Sequence, residues 1–228
     1  MEAIVLAGGF GTRLRQVLPD LPKPMAPIAD RPFLEILLSM LLHKGFTRVV
    51  LSLGFMSEKI ISHFGSRYQG IELVFEVEQQ PLGTGGAIRA ALARCKADHV
   101  FVFNGDTYLD LEVDALEHLW QSERHPLIVV REVPDTARFG KVEIRDGRIY
   151  AFLEKGEHGP GLINAGCYVL PKNALDDFPL GKPFSIETEF FAKYLQHVKF
   201  SGYVTNGRFI DIGVPEDYKL AQTALVGL

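Results

Sequence analysis

The sequence is poor in cysteine and has no long apolar run, and both absences narrow what the protein is. Only two cysteines occur in 228 residues, Cys95 and Cys167, and neither belongs to a C-x-x-C pair. We therefore expect neither a disulfide framework nor a zinc site. No run of about 18 apolar residues could cross a membrane, and the chain opens on a strand-like segment instead of a signal peptide. We expect a protein of the reducing cytoplasm with no membrane partner.

Basic residues are not in excess, and the histidines follow no metal-binding pattern. The net charge is −4, whereas nucleic-acid-binding surfaces are basic, so we expect no nucleic-acid partner. No H-x-x-x-H and no G-x-S-x-G occur, so neither a histidine metal site nor a nucleophilic serine is indicated. An anionic substrate would have to meet a local cluster of Arg and Lys.

Residues 3–27 carry the most informative pattern, AIVLAGGFGTRLRQVLPDLPKPMAP. An apolar run, Ala3–Ala7, ends at glycines, which let backbone N–H groups close on phosphate oxygens without a Cβ in the way. Arg13 and Lys23 would direct two cations at the same anion. The segment matches neither G-x-x-x-x-G-K-[ST] nor G-x-G-x-x-G, so it indicates another kind of nucleoside triphosphate site. An ordinary glycine-rich turn is the alternative, and it leaves the two cations unexplained.

Strand and helix patterns alternate in the first half of the chain. Apolar spacing predicts strands at 3–7, 48–53, 72–76 and 99–103 and helices at 33–44, 57–64 and 84–93. The second half predicts strands at 126–133, 139–144, 148–153, 162–170 and 209–212 and helices at 187–194 and 215–226. This order is typical of an α/β protein with a mostly parallel, Rossmann-like sheet and helices on both faces. We predict one domain over residues 1–228, in which residues 1–110 bind a nucleotide and a smaller β subregion in 111–228 binds a second substrate.

Two aspartates follow strands at the edge of the sheet where open α/β proteins bind ligands. Asp106 lies in Asn104-Gly105-Asp106, and Asp211 lies in Asp211-Ile212-Gly213. Carboxylates together with phosphate oxygens are ligands that Mg²⁺ prefers. The pair predicts a magnesium site, and turn formation by Asn-Gly-Asp-Thr is the alternative.

A second glycine cluster, Gln80–Gly86, opens a predicted helix. Its glycines would let a flat nucleobase lie against backbone, or would serve tight helix packing alone. Glu78 precedes the cluster and bears on the identity of the base. Guanine offers neighbouring N1–H and N2–H₂ donors that one carboxylate accepts together, and uracil, thymine and cytosine lack that pair. Guanine is favoured if Glu78 faces the base; a solvated strand carboxylate is the alternative.

Polar groups of the second half suit a sugar phosphate. Lys155 follows Glu154 at the end of a predicted strand, and residues 164–166 (Asn-Ala-Gly) offer an amide and bare backbone in the next one. The segment Arg138–Gly140 precedes a strand and is expected to line the same pocket. Carboxylate, amide and ammonium groups bind the hydroxyls and phosphate of such a ligand, although each of these residues has a structural role as its alternative.

Six segments resemble the sugar-1-phosphate nucleotidyltransferases, in that family's order and over almost the whole chain: LAGGFGTRLRQVLPDLPKPMAPIADRPFLE, EQQPLGTGGAI, FVFNGDT, FLEK, INAGCYVL and FIDIGVPEDY. Within the family they are most similar to the bacterial D-glycero-α-D-manno-heptose-1-phosphate guanylyltransferases. Mannose-1-phosphate guanylyltransferases and N-acetylmuramate- or hexose-1-phosphate uridylyltransferases are the alternatives. The resemblance implies the nucleotide-diphospho-sugar transferase fold, GTP and a sugar 1-phosphate as substrates, and Mg²⁺ as cofactor. A sensor that kept the fold without the reaction is an alternative of another class, because Val214 replaces a hydroxyl residue common in the family.

The resemblance also implies roles for single residues. It places Arg13, Lys23, Asp106 and Asp211 in catalysis, the two aspartates as metal ligands. The implied nucleotide-binding residues are Leu6, Ala7, Gly8, Gly9, Gly11, Thr12, Arg13, Lys23, Glu78, Pro81, Gly83, Thr84, Asn104, Gly105 and Asp106. The implied sugar-phosphate-binding residues are Gly140, Glu154, Lys155, Asn164 and Ala165. The sugar, the surface-glycan pathway and the oligomeric state, a homo-oligomer included, stay open.

Overall fold

Strands and helices alternate in the first half of the chain, and strands dominate the second. A computed structural model describes residues 1–11, 14, 18–153, 155–156 and 158–228. The strands are β1 (Glu2–Ala7), β2 (Pro27–Ile28), β3 (Arg31–Pro32), β4 (Arg48–Leu53), β5 (Arg67–Tyr68), β6 (Ile71–Val77), β7 (His99–Asn104), β8 (Thr107–Leu109), β9 (Leu127–Val133), β10 (Val142–Arg145), β11 (Arg148–Phe152), β12 (Gly161–Pro171), β13 (Ser201–Thr205) and β14 (Phe209–Asp211). The helices are α1 (Phe33–His43), α2 (Ser57–Phe64), α3 (Gly83–Leu92), α4 (Val113–Glu123) and α5 (Pro215–Ala224), with a 3₁₀ turn at Lys23–Met25 and a π-helix at Ile186–Ala192.

Among the described residues, ten strands form one sheet in the order β10-β11-β13-β9-β12-β7-β1-β4-β6-β5. The expected α/β class is confirmed, and the parallel arrangement extends over β7, β1, β4 and β6. Beyond β7 the sheet is mixed, because β12 pairs antiparallel with both β7 and β9. A hairpin joins β10 to β11 in this part of the sheet: Asp146 and Gly147 both have positive φ, 49° and 74°, which suits a two-residue turn between antiparallel strands. The expectation of a mostly parallel sheet therefore applies to the first half of the chain.

Helices cover both faces of the sheet, as the sequence predicts. Alternate residues of β1 point to opposite faces, so Ala3 and Val5 pack in the core that includes α1 and α4. Ile4 packs in the other core, which includes α3 and the π-helix. Within the described residues, no helix is long and apolar enough to span a bilayer.

The sequence and the structure differ at several elements, and the short strands β2, β3, β5 and β8 were not predicted. The sequence analysis did not assign α4 or β13; α4 has few apolar residues, and only Val113, Leu116 and Trp120 of its eleven are buried. The predicted helix 187–194 is a π-helix at Ile186–Ala192. The predicted strand 139–144 begins only at Val142, because Gly140 has a φ of +79° and belongs to a turn.

Candidate active site

The carboxyl ends of four neighbouring strands form one edge of the sheet, and a cavity opens there. Leu6 of β1 pairs with Asn104 of β7, and Ala7 pairs with Leu53 of β4, which pairs with Val77 of β6. The residues that follow these strands must therefore lie side by side. The cavity has a volume of about 570 Å³. It is lined by every predicted nucleotide-binding residue that the structure describes: Leu6, Ala7, Gly8, Gly9, Gly11, Lys23, Glu78, Pro81, Gly83, Thr84, Asn104, Gly105 and Asp106. Thr12 and Arg13 lie outside the described residues.

Glycines let the loops after β1, β4 and β7 pack backbone against backbone. A Cβ on Gly54 would lie 2.6 Å from the carbonyl oxygen of Gly8, and one on Gly105 would lie 2.5 Å from that of Leu6. The Phe55 N–H donates to the Gly8 carbonyl at 3.3 Å. A Cβ on Gly9 would meet no atom within 4 Å, so that glycine faces open space in the cavity. Gly54 and Gly105 thus serve packing, and Gly9 leaves its backbone open to a ligand.

The second glycine cluster divides between two roles. Gly83, with a φ of +67°, and Thr84 line the cavity. Gly85 instead packs on Phe184, since its Cβ would lie 2.1 Å from that ring, and its N–H donates to the Phe184 carbonyl at 2.9 Å. Tight packing on Phe184 explains Gly85 and applies to Gly83 too, since a Cβ on Gly83 would lie 2.6 Å from the Phe184 carbonyl oxygen. Of the two, only Gly83 also lines the cavity, so the nucleobase interpretation concerns that glycine. Thr84 is held by its hydroxyl, which donates to Glu187 of the π-helix at 2.7 Å.

Lys23 and the two aspartates meet at one place. The Lys23 ammonium lies 2.6 Å from Oδ2 of Asp106, and a Cβ on Gly11 would be 3.0 Å from Cβ of Lys23. Asp211 arrives on the β8–β14 ribbon, opposite Thr107, and the Ile212 N–H donates to the Asp106 carbonyl at 2.9 Å. Burial, followed by the charge of Asp106, raises the pKa of Asp211.

This cluster is short of positive charge. The Lys23 ammonium pairs with Asp106, and its charge only partly offsets the rise in the pKa of Asp211. Among the described residues, no group of three or more His, Cys, Asp or Glu could hold a metal ion. Mg²⁺ is usually held by one or two carboxylates plus phosphate oxygens and waters. Two carboxylates beside a nucleotide-sized cavity have the composition of such a site, and no larger cage is needed.

Glu78 lies at the end of β6, half-buried in the cavity wall. Its Oε2 accepts the Leu82 N–H at 2.9 Å, and its Oε1 would lie 3.0 Å from a Cβ on Gly8. Burial raises the pKa of this carboxyl. A carboxylate accepts about four hydrogen bonds, so a group held by Leu82 retains lone pairs for a ligand. Its position in the cavity distinguishes it from a solvated strand carboxylate.

The predicted sugar-phosphate residues that the structure describes fall into two groups outside this cavity. The first is Gly140 with Lys155, and the second is Asn164 with Ala165. Gly140 lies against the segment of Lys155, since its Cβ would be 2.9 Å from the Leu153 carbonyl and 3.9 Å from the Lys155 nitrogen. The side chain of Asn164 accepts the Gly166 N–H and donates to the Tyr168 hydroxyl, both at 2.9 Å.

The second of these groups touches the nucleotide cavity through a bulge in β12. The register of β12 shifts between Asn164 and Tyr168. Within that bulge a Cβ on Gly166 would lie 2.4 Å from Nδ2 of Asn104, which lines the cavity. Ala165 is buried in the core, so only its backbone could meet a ligand. Glu154 lies outside the described residues.

Some lining residues were not singled out from the sequence as site residues. They are Phe10, Pro24, Ser52, Gly54, Phe55, Gln79, Gln80 and Ala87. Gly54 and Phe55 follow β4 directly, so the rule that ligands bind beyond the carboxyl ends of strands could have identified them. Gln79 and Gln80 follow β6 in the same way.

Comparison with known proteins agrees with this geometry. The nucleotidyl transferase family matches residues 2–226. The chain is 41% identical to the D-glycero-alpha-D-manno-heptose 1-phosphate guanylyltransferase of Aneurinibacillus thermoaerophilus, over 99% of this chain and 98% of that protein. It is 39% identical to the enzyme of the same name from Campylobacter jejuni, over 96% and 97%. The crystal structure of HddC from Yersinia pseudotuberculosis is 38% identical, with a TM-score of 0.88 over 97% of both chains, and its complex with GMP-PN has a TM-score of 0.86 over the same shares.

Proposed function

The chain belongs to the nucleotidyl transferase family, and on that premise we propose that it is a sugar-1-phosphate guanylyltransferase. It transfers GMP from GTP to D-glycero-α-D-manno-heptose 1-phosphate and releases pyrophosphate. Two guanylyltransferases of that name, alike over nearly their full length, support the substrates. The main structural support for the proposed transfer reaction is that Lys23, Asp106 and Asp211 lie close together at one end of the cavity.

We propose that the two substrates bind to different parts of a single domain. The nucleotide occupies the cavity at the ends of β1, β4, β6 and β7, which belong to residues 1–110. The sugar phosphate meets residues 111–228, where Gly140, Lys155 and the backbone of residues 164–166 bind it, together with Glu154. Support comes from the bulge in β12, which brings that strand against Asn104 of the nucleotide cavity.

The proposed reaction needs positioning and charge neutralisation more than proton transfer. A phosphate oxygen of the sugar 1-phosphate attacks the α-phosphorus of GTP, a new P–O bond forms, and the bond to the β-phosphate oxygen breaks. The nucleophile is already anionic at neutral pH, so no strong general base is required. Lys23 neutralises charge on the transferring phosphate, and Arg13 holds the departing pyrophosphate.

Asp106 and Asp211 are proposed to hold Mg²⁺. Their paired negative charge, only partly offset by Lys23, suits a divalent cation. When bound, the ion would neutralise phosphate charge. Support for a cytoplasmic location comes from Cys95 and Cys167, which are buried free thiols, as is usual in a reducing compartment.

Glu78→Gln is expected to weaken GTP binding roughly 10–100-fold, the range for losing one bidentate base contact. The glutamine amide would place a donor opposite a guanine donor. Isothermal titration with GTP and Mg²⁺ measures the loss. Glu76→Gln is the matched control, because Glu76 lies on the same strand, pairs with Arg94 at 2.6 Å and does not line the nucleotide cavity. Equal GTP affinity in both variants would contradict the role of Glu78.

The raised pKa of Glu78 predicts a pH dependence. GTP affinity should weaken as the pH falls through that raised pKa, since the charged carboxylate accepts the guanine donors, and Glu78→Gln should abolish the dependence. For folding the sign is opposite: the ligand-free native state binds this proton more tightly than the unfolded chain. The stabilisation of the native state by this proton is complete below the pKa that Glu78 has in the unfolded chain. It is lost as the pH rises through the higher pKa that Glu78 has in the folded protein.

Two glycine substitutions separate packing from ligand approach. Gly54→Ala should lower the free energy of unfolding by about 1–3 kcal/mol, because its Cβ meets the Gly8 carbonyl at 2.6 Å. Gly9→Ala should leave stability unchanged, since its Cβ meets nothing within 4 Å, yet weaken GTP binding by entering the phosphate space. Denaturant unfolding and GTP titration check both. A destabilised Gly9→Ala protein, or one with normal GTP affinity, would refute this assignment.

A matrix of GTP, ATP, CTP and UTP against heptose, mannose, glucose and N-acetylmuramic acid 1-phosphates tests the function as a whole. Pyrophosphate release is the readout, and we expect it to be fastest with GTP and the heptose phosphate. Preference for UTP would refute the interpretation of Glu78. Tight GTP binding with no release for any sugar phosphate would favour a sensor over an enzyme.

A further inference from the structure

Two phenylalanines form an aromatic pair on the wall of the nucleotide cavity, and none of the steps above uses them. Phe10 lies in the glycine loop after β1 and Phe55 in the loop after β4. Their ring centroids are 5.7 Å apart with a 45° tilt. Both line the cavity. Phe10 is 50% exposed, which is unusual for a large apolar side chain and leaves one ring available to a ligand.

Backbone contacts hold the pair in place. The Phe55 N–H donates to the Gly8 carbonyl at 3.3 Å, and Gly54 and Gly8 are in such close contact that neither has room for a Cβ. The two loops are thus joined just before each ring. A wall that is set in the absence of ligand loses little conformational entropy when the ligand binds.

The pair lies toward the Glu78 end of the cavity. β4 lies between β1 and β6 in the sheet, so Phe55 is carried between the Gly8 loop and Glu78. A Cβ on Gly8 would be 3.0 Å from Oε1 of Glu78 and 3.1 Å from the Gly54 nitrogen. Gly11, at the other end of the loop, lies against Lys23. A base bound by Glu78 therefore comes next to the aromatic pair, and the phosphates extend toward Lys23.

We propose that Phe10 and Phe55 select a purine base by contact with its face, and that Glu78 then selects guanine by its edge. This rests on the proposed use of GTP and deepens it. Every base has a π-face, so stacking alone tolerates any base, but the preference follows stacking strength. A purine has two fused rings and covers more of the aromatic pair than a pyrimidine does. Ring size and donor pattern are thereby read by different residues.

Alanine at either position tests the proposal. Phe10→Ala and Phe55→Ala should each weaken binding of GTP about tenfold, the order found when a stacking aromatic is removed. ITP, which has the same two rings but lacks the N2 amino group, should lose affinity by the same factor. UTP should lose clearly less, so that the preference for GTP over UTP falls roughly threefold or more. Titration calorimetry with Mg²⁺ and each nucleotide measures all three affinities.

Kinetics and a fluorescent variant add independent readouts. The KM for GTP should rise while kcat stays near wild type, because the base is held alike in the ground and transition states. Phe10→Tyr should restore both values. Phe10→Trp should show fluorescence that GTP quenches more than UTP does, against the constant signal of Trp120, which is buried and stacked on His99.

Controls separate this inference from the proposed function. Tyr150→Ala removes another exposed aromatic side chain, one that does not line the cavity, and should change no affinity. Failure of wild-type protein to release pyrophosphate with any nucleotide would refute the proposed function. Wild-type turnover with unchanged GTP affinity in both alanine variants, or equal losses for GTP and UTP, would overturn the aromatic selection alone.

Discussion

Replacing Lys23 by alanine should slow pyrophosphate release by at least about 10²–10³-fold, the loss typical of one preorganised electrostatic contact. The Lys23 side chain is only 12% exposed and its ammonium lies 2.6 Å from Asp106, so its charge acts where water screens it little. Negative charge on the transferring α-phosphate and on the departing pyrophosphate must be neutralised in the transition state. Single-turnover measurement at saturating GTP isolates the effect on the chemical step from any effect on binding.

The chain offers a matched control for this variant. Lys44 also pairs with an aspartate, Asp110, at 2.7 Å, but neither residue lines the cavity. Lys44→Ala should therefore release pyrophosphate at the wild-type rate. Exposed ion pairs such as Lys44–Asp110 contribute about 1 kcal/mol or less to folding, so the Lys44→Ala control should stay folded. A folded Lys23→Ala protein with wild-type turnover would remove Lys23 from the mechanism.

The substitution Asp211→Asn should abolish most turnover and at the same time stabilise the ligand-free protein. Loss of one of two proposed metal ligands should cost at least about 10²–10³ in rate, and Asp106→Asn should cost as much. The stability effect follows from the raised pKa of Asp211. The folded chain binds this proton more tightly than the unfolded chain, so the benefit is complete below the unfolded pKa and is lost as the pH rises through the folded one. At neutral pH the ionised Asp211 carboxylate destabilises the ligand-free fold, and asparagine removes that charge.

The two effects of the change at Asp211 are measured separately. Thermal unfolding in EDTA should show a higher Tm for Asp211→Asn than for wild type, since an asparagine Oδ1 still accepts the Gly213 N–H that Asp211 now accepts at 2.6 Å. Pyrophosphate release in Mg²⁺ should show the loss of rate. Asp110→Asn is the control and should change neither value appreciably. A lower Tm in EDTA would contradict the cost assigned to the Asp211 charge, and normal turnover would contradict its assignment as a metal ligand.

A large part of the site could be predicted from local sequence. Glycines after an apolar run and a lysine between prolines identified the loop that lines the cavity, because these patterns depend on neighbouring residues only. The interpretation of residues 80–86 was less complete. Gly83 lines the cavity and also lies against the Phe184 carbonyl, whereas Gly85 packs on the Phe184 ring, and the sequence does not show which partner lies opposite each glycine.

The sequence by itself determined the class of fold and the glycine loop after β1, and it predicts that cations meet an anionic ligand. The physical reason is that hydrophobic period, glycine and charge patterns can be recognised in neighbouring residues. The tertiary structure alone decided that β12 runs antiparallel beside β7, that the β8–β14 ribbon sets Asp211 beside Asp106, and that Phe10 meets Phe55 next to Glu78. Those contacts join distant parts of the chain. They depend on how strands are ordered in the sheet, and that order minimises the free energy of the whole molecule rather than of any one segment.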